Sequence, residues 1–196
     1  MQDRIAAATS VVFSPFLVPI ATILVIAQNY ATTGHQTLLW IAIFITFFSI
    51  LPVFFIFILF RLGRVSSLNL SAQEQRTSPL LFAMGTAFVG VGILYVIGAP
   101  PEIMWAGIAY VVNGVIFVAI TQIWKISFHT GVTAGCITVL VLIVHIKFGW
   151  LSLLLPLIAW ARVRRKRHTL VQAVVGVLIA VISTAVVLQL SVGIGF

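Results

Sequence analysis

Negative charge is the scarcest feature of this chain. Its 196 residues hold only three Asp or Glu against 11 Lys or Arg, for a formal net charge of +8. Charged side chains make up 7% of residues and hydrophobic ones 62%, too few charges to clothe a water-soluble fold of this length. Cysteine is nearly absent. Cys136 alone excludes an intramolecular disulfide and any cysteine metal cluster. The carboxylates Asp3, Glu74 and Glu102 are scattered, so the acidic clusters with which intramembrane prenyltransferases and alcohol phosphotransferases hold Mg²⁺ are missing. Divalent-metal phosphoryl chemistry is therefore disfavoured, and neither a metal nor a cofactor is expected. No repeat, heptad or low-complexity segment is evident, and the longest polar stretch, Arg61 to Ser78, reads as a loop or interfacial helix rather than a second domain.

What fills the chain is apolar runs near the ~18-residue length of a membrane-spanning helix. They predict spans at 11–28, 38–60, 80–98, 103–122, 130–146, 148–160 and 170–192. The expected fold is an all-α integral membrane protein, one transmembrane domain over 1–196 with about six to seven helices. The first run exceeds the ~7–15 residues of a signal-peptide core and reads as a retained helix kinked at Pro15 and Pro19. The sixth is short and contains Pro156. Its alternative is one helix from 130 to 160 with Lys147 in the bilayer, a costly placement, so a turn at Lys147–Phe148–Gly149 is preferred.

Seven spans put ten of the 11 cations on one face and leave Lys147 on the other. The asymmetry predicts a multi-pass cell-membrane protein with its N-terminus and basic face in the cytoplasm, unless some of those cations form an anion site and are not topology signals. Nucleic acid is disfavoured as a partner, because the basic residues punctuate apolar spans. A soluble anion, an anionic lipid or a phosphate ester suits the charge.

Ionisable residues at helix ends carry most of the functional information in such a chain. Lys125-Ile-Ser127-Phe-His129 leads into the fifth span and Arg162-x5-His168-Thr-x2-Gln172 into the seventh, so both histidines fall at helix starts on one face. Free N–H groups and the positive dipole end make each start an anion site. Gly131 and Gly135 on one helix, with Gly176 and Ala180 on the other, permit close approach of the two.

At these residues the chain resembles the type 2 phosphatidic acid phosphatase superfamily, which includes lipid phosphate and polyprenyl diphosphate phosphatases. The family signature Ser-Arg-x5-His-x3-Asp is similar to Ala161-Arg162-x5-His168-x3-Gln172, with Arg and His kept and Ser and Asp replaced. Its Pro-Ser-Gly-His is similar to Ile126-Ser127-Phe128-His129. Its Lys-x6-Arg-Pro is not recognisable; Lys125, and Arg76 within Glu74-Gln-Arg76-Thr-Ser-Pro79, are the cations available in its place. The resemblance implies a phosphatase-like core over about 38–192, preceded by an extra helix at 11–28. It also implies metal-independent hydrolysis of a lipid or polyprenyl phosphate or diphosphate. In that scheme His168 is the nucleophile, His129 the general acid, and Arg162, Lys125, Ser127 and Arg76 bind the phosphoryl group. Gln172 stands where an Asp orients the nucleophile, and Glu74 is a substitute carboxylate.

Plainer readings stand beside these. The run Arg162–His168 also serves as a basic topology anchor, and Arg164, Arg165, Lys166 and Arg167 read as lipid-headgroup anchors. Lys125 beside Trp124 fits an interfacial snorkel, His35 and His145 read as structural, and Asn113 reads as interhelical glue or a pocket residue. A catalytically silent relative that binds phospholipid or a membrane partner is the first competing function. A transporter or channel is the second, disfavoured by nearly all-apolar midspans.

Overall fold

The computed structural model describes residues 1–31, 33–67 and 75–193, and those residues form helices and their connections with no strand among them. Glu74 lies outside the described residues. Helix α1 (Gln2–Val12) ends at Phe13, because Ser14 precedes a proline and is pushed out of helical backbone. Ser14 Oγ then accepts the Leu17 N–H at 3.2 Å, and α2 (Val18–Tyr30) begins with Pro19 in its first turn, where no N–H is needed. The single kinked span expected at 11–28 is thus two helices, with Pro15 in the break and Pro19 at a helix start.

Helix α3 (Gly34–Arg61) is opened by Thr33, whose Oγ1 accepts the Gln36 N–H at 3.2 Å, and is interrupted by a π turn at Thr46–Ile50. Pro52, just beyond, cannot donate into the helical ladder, which loosens the turn before it. α4 (Thr77–Val96) and α5 (Pro101–Ile123) pack side by side across a tight link in which Gly98 takes φ +69°, a left-handed conformation suited to glycine.

α6 (Phe128–Val144) ends in a π turn, and α7 (Ile146–Arg164) starts as 3₁₀ helix over Ile146–Leu153. The chain breaks between them at His145, in extended backbone with φ −167°, where Nδ1 accepts the Lys147 N–H at 3.0 Å. The expected turn at Lys147–Phe148–Gly149 is therefore displaced to His145, which caps the next helix. Pro156 does not shorten α7 as expected. It falls in the first turn of the α-helical part, Leu154–Arg164, where its missing N–H has least consequence. Residues 130 to 160 are not a continuous rod: α6 and α7 pack against each other, and α8 (Leu170–Gly193) returns beside α6.

Among the described residues five helices (α3, α4, α5, α7 and α8) are long and apolar enough to cross a membrane; α2 and α6 are apolar but shorter. The largest buried cluster gathers Ile23 and Ile26 of α2, Phe44 and Phe48 of α3, Leu94 of α4 and Ile103 of α5. Phe44 and Phe48 stack with ring centroids 3.9 Å apart, and Tyr110 meets Phe48 edge-on at 5.2 Å.

The tightest packing joins the starts of α6 and α8. A methyl group on Gly176 would lie 2.9 Å from Ser127 O, and one on Gly131 would strike the Phe117 ring. The Ser127 N–H donates to Gln172 C=O at 3.3 Å, and Thr130 Oγ1 donates to Ala173 C=O at 2.9 Å. Deeper down, Asn113 Nδ2 donates to Thr184 Oγ1 at 2.8 Å, and Ser183 Oγ donates to Asn113 Oδ1 at 2.7 Å, tying α5 to α8. Gly176→Ala and Gly131→Ala should each lower stability in detergent by about 1–3 kcal/mol, the cost of overpacking. Gly92→Ala, where a methyl meets nothing within 4 Å, should be neutral or slightly stabilising. Thermal unfolding of the three variants checks this, and equal melting temperatures would contradict the close approach.

Candidate active site

The end of the bundle that carries α1, the start of α4, the 124–127 link and the 165–169 link gathers the cations and two of the histidines. Ser127 precedes α6, which starts at Phe128 and carries His129 in its first turn. His168 lies two residues before α8 and outside it, a small correction to its expected place at a helix start. What brings His168 back over α7 is a left-handed turn: Lys166 takes φ +52°, the Arg167 N–H donates to Arg162 C=O at 3.0 Å, and the Lys166 N–H donates to Val163 C=O at 2.9 Å. This is a Schellman-type closure with lysine in the position usually held by glycine.

Arg76, Arg162 and His168 are all buried, at 6%, 5% and 8% exposure. Together with His129 and Arg165 they line one end of a cavity of about 820 Å³. The remaining wall is mostly apolar and runs past Phe117, Met84 and Tyr110 to Phe44, with Asn113 and Cys136 among its few polar or polarisable members. Lys125 lies within electrostatic reach of His168, and the two imidazoles lie within reach of each other. Of the residues expected at the site from sequence, Arg76, His129, Arg162 and His168 line the cavity, whereas Lys125, Ser127 and Gln172 do not.

Their bonding separates two groups. Arg162 Nε, His168 Nδ1 and Ser127 Oγ are buried and have no hydrogen-bond partner among the described residues. Buried polar atoms of this kind call for a ligand or water. Gln172 is committed elsewhere. Its Oε1 accepts the Thr169 N–H at 3.1 Å while Thr169 Oγ1 accepts the Gln172 N–H at 3.2 Å, a reciprocal capping box at the start of α8. The Gln172 side chain is still adjacent to His168, but its principal acceptor bond is to backbone.

Burial, reinforced by the Arg162, Arg76 and Lys125 cations and partly offset by Gln172, holds His168 far below the ordinary histidine range, at about 3. Burial, with Arg167 nearby, also lowers Arg76. His168 is thus a neutral imidazole with an available lone pair at physiological pH. A bound phosphate would offset the surrounding positive field.

Two contributors were not anticipated as site residues. Arg165, read from sequence as a headgroup anchor, lines the cavity. It follows Arg162 by three residues, the spacing that puts two side chains on one helix face, and that spacing was the available signal. The other is Ser10 on α1, whose main chain lies against the His129 ring; nothing in the sequence marks it. Arg164 instead turns outward and pairs with Asp3 at 2.9 Å, while His145 serves as a cap remote from the cluster. Among the described residues no three His, Cys, Asp or Glu side chains converge as metal ligands would. No protein-family model matches the chain, and no curated protein or solved structure matches it.

Two predictions follow from the bonding and the charge. Thr169→Ala and Gln172→Ala should each cost about 1 kcal/mol of stability, and Gln172→Glu, which preserves the box, should cost less. The unfolded chain takes up a proton at His168 as pH falls through about 6.5, whereas the folded chain resists until about 3, so stability should rise with pH across that window. His168→Asn should flatten the dependence by up to about 1.4 kcal/mol per pH unit, the value for one proton. Melting curves between pH 4.5 and 7.5 test it, and an unchanged slope in the variant would contradict a neutral buried His168.

Proposed function

We propose that this chain is a metal-independent membrane phosphatase acting on a lipid or polyprenyl phosphate or diphosphate, a divergent relative of the type 2 phosphatidic acid phosphatases. The observation that carries the reading is the junction of two surfaces. Buried Arg76, Arg162 and His168, with His129, close one end of a cavity whose other walls are apolar. Such a junction suits an amphiphile, with its phosphate among the cations and its chain among Phe117, Met84 and Phe44.

In the proposed reaction a ring nitrogen of neutral His168 attacks phosphorus in line. The P–N bond forms as the bond to the leaving oxygen breaks, and His129, which takes up a proton together with the arriving phosphate anion, gives that proton to the departing alkoxide or phosphate oxygen. Water then attacks the phosphohistidine and passes a proton to His129, restoring His168 and releasing phosphate. Arg162, Lys125 and Arg76, with Arg165 added from the cavity wall, neutralise the phosphoryl oxygens. Ser127, off the cavity wall, holds the start of α6 against α8 rather than touching the phosphate. Gln172, held in its capping box, supports the backbone beneath His168 more than its imidazole.

The membrane arrangement belongs to the same proposal. α2 and α6 join the five longer helices to give seven crossings, with the basic end and the N-terminus in the cytoplasm by the positive-inside rule. Surrounding lipids are the remaining partners.

A second reading is favoured by one specific observation: His168 Nδ1 lacks a partner and Gln172 Oε1 is occupied by Thr169, so the nucleophile has no carboxylate to stabilise its charged form. In a related triad the loss of such a group costs about 10⁴ in turnover. A phospholipid-binding relative without turnover would keep the cavity and the cations and omit the chemistry. Purified protein in mixed micelles should release phosphate from phosphatidic acid or a prenyl phosphate in EDTA, be inhibited by vanadate, and lose at least about a thousandfold activity in His168→Ala. Acid-labile phosphohistidine should be trapped on the wild type. Binding without phosphate release or trapped intermediate would establish the second reading instead.

A further inference from the structure

The cavity is not equally closed along its length. Its deep wall is sealed, with Ile23 at 0% and Phe117 at 1% exposure. At its polar end Arg76, Arg162 and His168 are buried and Arg165 is half-buried. On one flank, however, the residues that line it are exposed apolar side chains: Val11 at 63%, Ile50 at 55% and Phe54 at 57%, together with Leu17, Val53 and Phe57. Val11 and Leu17 form one bank, where α1 turns into α2. The second half of α3 forms the other.

The two banks are tied to each other at one end. Ser49, in the π turn of α3, donates from Oγ to Phe16 C=O at 2.7 Å, which pins the α1–α2 link to α3 below the opening. Phe16 also packs against the small cluster of Ile56, Leu59 and Val65. At the outer end of α3, the Arg61 guanidinium sits 5.8 Å from the centroid of the Phe57 ring, a cation at the mouth of an apolar opening. On the opposite bank, α1 is held from outside by the exposed Arg164–Asp3 pair, a weak restraint by its nature.

We infer that the gap between α1 and the second half of α3, closed at one end where Phe16 of the α1–α2 link packs on α3, is a lateral portal. Through it the apolar chain of a phosphate-bearing lipid enters the cavity from the bilayer while its headgroup slides past Arg61 toward Arg76 and Arg162. This rests on the lipid-phosphate reading of the site and adds its route of access. Charge complementarity selects the occupant: the groove is apolar along its length and ends in cations, so it fits a single anionic amphiphile better than a zwitterionic lipid or a protein helix.

The test uses the full chain in phosphatidylcholine vesicles with phosphatidic acid bearing a mid-chain diazirine. Cys136 is replaced by serine so that an introduced thiol is unique. Val53→Cys on one bank and Leu17→Cys on the other are alkylated with pyrene maleimide, and Val115→Cys, exposed on α5 away from the cavity, is the control. Photolabel is expected on cavity residues such as Ile23 and Met84. Its rate of incorporation should fall about tenfold after alkylation of either bank and stay unchanged for the control. Equal rates in all three, or photolabel confined to outward faces, would overturn the portal. Arg61→Gln should slow incorporation severalfold at low ionic strength and little at high salt; no change in either would remove Arg61 from the route. The two readings fail separately. Blocked banks that leave phosphate release from long-chain lipid intact sink the portal alone. Lipid entry with no phosphate released sinks the hydrolase alone.

Discussion

The arrangement depends on how closely two helix starts approach. α6 and α8 meet where glycines leave backbone against backbone, so that Ser127 N–H reaches Gln172 C=O and Thr130 Oγ1 reaches Ala173 C=O. In an apolar medium there is little hydrophobic drive between helices, and close packing with interhelical hydrogen bonds takes its place. A side chain larger than hydrogen at Gly176 or Gly131 would push the two starts apart. The consequence reaches the chemistry directly, because His129 rides on one start and His168 on the approach to the other.

That approach creates an electrostatic imbalance. Arg76 and Arg162 are buried beside a neutral His168, with Lys125, Arg165 and Arg167 near enough to contribute to the field. Burying Arg162 among other cations is costly unless a negative group offsets it. Under the proposed function that group is the substrate phosphate, which would meet donors already oriented. The same imbalance keeps the His168 lone pair unprotonated, which suits a nucleophile and deprives the ring of a carboxylate partner.

The apolar part of the cavity places the opposite demand on the fold. Its walls come from α2, α3, α4, α5 and α6, and the breaks in those helices serve it. The π turn of α3 aims Ser49 at the α1–α2 link, and the Pro15 break lets α1 lie across the basic end instead of continuing through the bundle. The polar trio Asn113, Ser183 and Thr184 is hydrogen-bonded internally and holds α5 to α8.

Composition and residue spacing were enough to indicate an all-helical fold rich in membrane-length segments, since neither depends on how the chain returns upon itself. The same holds for the glycine pairing of α6 with α8, read from small residues four apart. The capping box was visible as Thr169-x2-Gln172, yet its meaning was not, because a glutamine that orients an imidazole and one that caps a helix look identical in sequence. Breaks were harder. His145 ends α6 through a ring nitrogen that accepts a backbone N–H, and Lys166 adopts a left-handed turn that glycine would have advertised. Ser10 could not be foreseen at all, since its position beside His129 is set by the docking of α1 on α7. What the residue order determined by itself was the local energetics of each segment: which are apolar, which can approach closely, where helices can start. Which cations line one cavity, and which of its flanks is exposed, was decided only when the helices packed, because those are properties of distance between residues far apart in the chain.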